Sequence, residues 1–65
     1  MKTKADKEQI SVTGKILYPI QVGAPAMIAE PDGYRRTSAV CAVISDTPKT
    51  IVIETRNSVY SIQKV

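Results

Sequence analysis

No histidine, phenylalanine or tryptophan occurs among the 65 residues, and Cys41 is the single cysteine. The missing histidine removes the commonest general base and the imidazole ligand of metal sites. One cysteine can neither close an internal disulfide nor assemble a structural zinc site. Serine and threonine hydroxyls have no histidine to activate them, and there is no Gly-x-x-x-x-Gly-Lys-Ser/Thr cradle for phosphate. The carboxylates Asp6, Glu8, Glu30, Asp32, Asp46 and Glu54 are scattered, with no Asp-x-Asp pair to divide acid and base work. The chain is therefore not expected to be an enzyme, nor to carry a metal or other cofactor.

Long apolar runs are absent too. No uninterrupted apolar segment approaches the roughly 20 residues of a membrane span, and no charged-then-apolar leader opens the chain. The expectation is a cytoplasmic protein without membrane association. Cys41, inside an apolar run, reads as a small buried hydrophobe rather than a reactive thiol, which suits a reducing compartment.

What is present is mostly Ile, Val, Ala and turn residues. The chain has the length of one domain, near the lower limit at which a single core outweighs chain entropy. Nine Lys and Arg against six Asp and Glu leave a net +3. Residues 1 to 15 hold four of those cations, Lys2, Lys4, Lys7 and Lys15, against Asp6 and Glu8, so +2 of the +3 lies there. Residues 1–9, polar and without an apolar repeat, read as a disordered or frayed basic tail, and residues 10–65 as a single small β domain.

From Ile10 the pattern has period two: Ile10, Val12, Gly14, Ile16, Tyr18, Ile20 and Val22 share one parity. This predicts a long strand with a bend or bulge near Gly14 or Pro19, and core or interface positions for Tyr18 and, later, Tyr60. Val22-Gly23-Ala24-Pro25 is a turn. Two apolar runs then flank Pro31-Asp32-Gly33, a hairpin turn in which Pro presets φ and Gly33 takes a left-handed conformation beside a bulge. The run Ala39–Ile44 is apolar on both parities, which predicts a central strand covered on both faces. After the loop Ser45–Lys49, Ile51 to Thr55 and Ser58 to Ile62 form a second hairpin closed by Arg56-Asn57, with Asn57 at positive φ. Closure there sets Ile53 opposite Tyr60 and Ile51 opposite Ile62, all on one face, with Val52 and Val59 on the other. The fold class is all-β: a small, strongly bent antiparallel sheet or an SH3-like barrel of about five strands.

A binding module follows by elimination. Tyr34, Arg35 and Arg36 are the best candidates for nucleic-acid contact, an aromatic to stack on a base and guanidinium groups to fork onto phosphates. Lys15, Lys49 and Arg56 extend this to a basic face if the fold gathers their turns. The plainer reading packs Tyr34 across the hairpin and leaves both Arg in water. The other partner class is a protein, either a host protein or another copy of the chain, docking on exposed edges and apolar patches such as Val52 and Val59. A core without Phe or Trp has little volume to cover both faces of residues 39–44, so a homodimer is also expected, unless a tightly curved barrel covers them within one chain.

Ile20-Gln21-Val22-Gly23-Ala24-Pro25, Arg36-Thr37-Ser38-Ala39-Val40 and Thr55-Arg56-Asn57-Ser58-Val59-Tyr60 together resemble a pattern in small uncharacterised proteins carried by bacterial phages and conjugative elements, over about residues 15–62. The resemblance implies a bacterial or phage accessory protein, a kind that often acts by binding a host macromolecule. It transfers no activity and no site residue.

Overall fold

Ile51, Ile53, Tyr60 and Ile62 hold the register their alternation dictates: Ile53 pairs with Tyr60 and Ile51 with Ile62, and all four are buried. In the computed structural model, which describes residues 7–65, their strands β4 (Thr50–Thr55) and β5 (Ser58–Lys64) follow β1 (Glu8–Ile16), β2 (Pro25–Glu30) and β3 (Gly33–Asp46). The strands close in sequence order into a five-stranded barrel of the small SH3-like kind. Neighbours in order are antiparallel, and β5 joins β1 in parallel. That mixed closure is a matter of parity, since five strands of alternating direction leave the first and last running the same way. Among the described residues no helix is long and apolar enough to cross a membrane.

One interior is filled by Val12, Ala26, Ile28, Val40, Ile51, Ile53, Tyr60 and Ile62, with Ile10, Ile16 and Ile20 packed against them. Isoleucine supplies most of the large side chains, and each fully buried one contributes on the order of 1.5–3 kcal/mol relative to exposure. β1 changes partner at a glycine. It lies beside β5 up to Gly14 opposite Lys64, and from Lys15 opposite Ala29 it lies beside β2. A Cβ on Gly14 would stand 2.6 Å from the Ala29 carbonyl oxygen and 2.8 Å from Ile28 Cγ2, so the crossing strands approach through the missing side chain.

Several expectations need correction. Glu8 and Gln9 belong to β1, and Lys7 donates to Glu54 Oε2 at 2.7 Å and to the Thr55 carbonyl at 2.8 Å. Residues 7–9 are thus part of the barrel, while the tail expected over residues 1–6 falls outside the described residues. β1 stops at Ile16 instead of running to Val22. Tyr18 is 48% exposed, not core, because the chain leaves the ladder at Leu17 and parity no longer points inward.

Within one chain the run from Ala39 to Ile44 is not covered on both faces. Val40 is buried, but Val43 and Ile44 are exposed, as is Cys41, a free thiol at the surface. A barrel has a single interior, so a strand in its wall buries one face only. β3 uses this run to bend, passing from Pro25 opposite Ala39 to Thr55 opposite Val40, with shifts between Val40 and Ala42 and between Val43 and Ser45.

The turns also differ in detail. Gly23 and Gly33 have positive φ, 96° and 147°, and among the described residues no other does. Gly33 sits directly opposite Glu30, and the irregularity of this hairpin falls between Pro25 and Met27, where Thr37 Oγ1 accepts the Ala26 N–H at 2.9 Å. Asn57 has negative φ. Its turn is clamped by Thr55, whose Oγ1 accepts the Ser58 N–H at 3.1 Å and donates to the Ser58 carbonyl at 2.9 Å, leaving no need for a left-handed residue.

Candidate nucleic-acid interface

Residues directly opposite one another in adjacent strands share a face of the sheet. Lys15 lies opposite Ala29, and Ala29 lies opposite Tyr34. The lysine and the tyrosine therefore stand on the outer face of the barrel, two strand spacings or about 10 Å apart. Tyr34 is 76% exposed. Two residues further along β3, Arg36 stands on the same face opposite Met27 and is exposed. The register then shifts, bringing Ala39 rather than Ser38 opposite Pro25, and in this irregular stretch Asn57 Nδ2 donates to the half-buried Ser38 at Oγ, 2.8 Å. The Arg56 N–H, next along, donates to the Ala39 carbonyl at 3.1 Å, which seats the β4–β5 turn beside β3. Lys15, Tyr34 and Arg36 thus share one outer face, and the exposed Arg56 stands beyond the irregular stretch on the turn seated beside β3, a strip of four.

Arg35 is separated from that strip by the alternation of β3. It lies opposite the fully buried Ile28, on the inward parity at the mouth of the barrel, and its Nε donates to Glu30 Oε2 at 3.0 Å. The hydrogen bond to Glu30 raises its pKa above the usual arginine value, so the guanidinium stays charged and engaged. Lys49 is on the exposed β3–β4 loop, its carbonyl accepting the Lys64 N–H at 2.8 Å, and no row of the register joins it to Tyr34. The six candidates therefore divide into a strip of four, one arginine held by a carboxylate, and one lysine on a separate loop.

Ion pairing divides the cations in a similar way. Among the described residues Lys7 pairs with Glu54, Arg35 with Glu30 and Lys64 with Asp46. Lys15, Arg36, Lys49 and Arg56 make no such pair, and three of these four lie on the strip. Sequence spacing did not point to Ser38 or Asn57, which steady the Arg56 turn, because their contact joins positions far apart in the chain.

The outer apolar patch expected for protein docking does not form. Val52 is half-buried and Val59 is buried, with Lys7 reaching across to Glu54, the residue opposite Val59. A groove of about 510 Å³ opens where β1, β3 and β5 end, lined by Lys15, Ile16, Ile20, Val43, Asp46 and Lys64 among others. Lys64 Nζ donates to Asp46 Oδ1 at 2.7 Å and to the Thr47 carbonyl at 2.8 Å, which neutralises most of the groove's charge internally. The fold places the chain among small closed β-barrels, and the strip gives that barrel a cationic outer surface with one aromatic. No protein-family model, curated protein or solved structure matches the chain.

Proposed function

We propose that the protein binds single-stranded nucleic acid along the strip Lys15, Tyr34, Arg36 and Arg56. The three cations sit on phosphate oxygens and Tyr34 stacks on a base, a pairing of contacts that tolerates many sequences. The observation that carries the reading is the strip's composition: cations that have no carboxylate partner among the described residues lie beside a tyrosine that is 76% exposed. A single strand suits it better than a duplex, because stacking needs an unpaired base. Nucleic acid also belongs to the class of host macromolecule implied by the resemblance to phage and conjugative-element proteins.

Titration of labelled single-stranded DNA and RNA by fluorescence anisotropy tests the reading. Three phosphate contacts give a slope of log K against log salt of about −2 for a single strand. Tyr34→Ala weakens binding by about 5- to 150-fold, the range for loss of one base stack. Arg36→Ala and Lys49→Ala remove the same charge, so a strip requires the first to weaken binding and the second to leave it nearly unchanged. Equal losses would indicate diffuse attraction and end the assignment of these residues. No binding at low salt would end the nucleic-acid reading altogether.

A further inference from the structure

β1 has one edge that the barrel leaves open. The Val65 N–H donates to the Gly14 carbonyl at 3.3 Å, and the Leu17 N–H to the Met27 carbonyl at 3.2 Å. Backbone groups of even-numbered residues therefore point toward β5, and those of odd-numbered residues toward β2. β2, however, meets β1 only at Lys15 and Ile16. Among the described residues, nothing pairs with the N–H and C=O groups of Gln9, Ser11 and Thr13 on that side. An open row of this kind is a template for another strand, and proteins usually guard it with Pro, Lys or a bulge. Here the outward side chains are Gln9, Ser11 and Thr13, neutral, short or flexible, and exposed.

We propose that this edge pairs with the same edge of a second copy, antiparallel about a two-fold axis at Ser11. Self-complementarity favours that occupant. With Ser11 opposite its twin, Gln9 faces Thr13 and Thr13 faces Gln9, so every open donor meets an acceptor and no like charges stand opposite one another in the paired segment. Any shift of this register leaves open groups unpaired at one end. The pairing continues the β5–β1 sheet across the axis and keeps both outer strips accessible. The two Lys15 residues then lie about 26 Å apart along the joined strands, at 3.3 Å per residue. The pairing does not depend on nucleic acid, so its failure and that of the proposed function are separately visible.

Sedimentation equilibrium from micromolar to millimolar protein reads it directly, with the wild-type mass rising from one chain toward two. Ser11→Pro removes an N–H that points away from β5 and so spares the β1–β5 ladder; it is expected to stay at the mass of one chain with an unchanged circular dichroism spectrum. Should Ser11→Pro fail to fold, Ser11→Glu takes its place by setting two carboxylates opposite each other at the axis. A cross-link fixes the register: in a Cys41→Ser background, Ser11→Cys is expected to oxidise to a disulfide dimer, since opposed residues sit within disulfide reach, while Gln21→Cys does not. A wild type that keeps the mass of one chain throughout, a folded Ser11→Glu that dimerises as wild type does, or cross-linking no faster at position 11 than at 21 would overturn the proposal.

Discussion

β1 is held very differently along its two sides. Beside β5 it is paired from Glu8 to Gly14, with Val12 and Ile62 inside the barrel and Lys7 fastening the start of the chain to Glu54. Beside β2 it is paired only at Lys15 and Ile16, with Gly14 admitting the Ala29 backbone. Closure of a short barrel thus rests on one long seam and one short one. The long seam is expected to carry the cooperative stability, because it joins residues distant in sequence through buried side chains. Among the described residues, the short seam leaves the β2-facing edge of β1 without a strand from Gln9 to Thr13.

The most damaging substitution lies in the long seam. Ile62 is fully buried, opposite both Val12 and Ile51, and Ile62→Ala is expected to cost about 2–5 kcal/mol. A domain of this length has on the order of 3–10 kcal/mol in total, so urea unfolding should find the variant largely unfolded or nearly so. Retention of most of the stability would mean that this seam is not dominant. Gly14→Ala probes the junction of the seams, where the new Cβ meets the Ala29 carbonyl and the branch carbon of the buried Ile28; overpacking is expected to cost about 1–3 kcal/mol. A neutral or stabilising result would show that the close approach at Ala29 yields without strain.

Smaller effects sharpen the contrast. Lys7→Ala removes a buried-stem lysine, 8% exposed at its side chain, from a carboxylate and a carbonyl. The expected cost is about 1 kcal/mol, measured by the same unfolding. Hydrogen exchange in dilute solution should protect the amides of Ile10 and Val12, which face β5, and leave those of Ser11 and Thr13 nearly unprotected. Equal protection of the four would mean that the second edge is covered. Asn57→Gly serves as a control away from both seams. With Asn57 at negative φ, glycine gains nothing from its conformational freedom and loses the exposed hydrogen bond to Ser38, and should cost about 1 kcal/mol; a stabilising result would restore the left-handed turn.

The register of the β4–β5 hairpin was legible, because its turn is short and Ile51, Ile53, Tyr60 and Ile62 fall on one parity, so local geometry leaves one register that buries all four; the φ of Asn57 and the burial of Val59 were not. The candidate site was legible as a set of residue types but not as a surface. Tyr34 and Arg36 share a face by parity alone, and Arg35 could have been set apart from them on the same ground. That Lys15 and Arg56 flank them depends on pairings between β1 and β2 and between the Arg56 turn and β3, which no local pattern encodes. The apolar run at residues 39–44 misled for a related reason: it looked like burial on both faces, whereas its small and branched residues line a bend.

By itself the sequence determined the all-β character, the two hairpins and the identity of most core residues, since period-two alternation and turn chemistry act over a few neighbouring positions. Only the tertiary structure decided where β1 ends, that Val59 is covered while Cys41 is not, and which cations remain unpaired. Those outcomes turn on closure of the barrel, which brings Lys7 to Glu54 and β1 to β5 across nearly the whole chain, and the stabilisation that selects it comes from burying one shared interior.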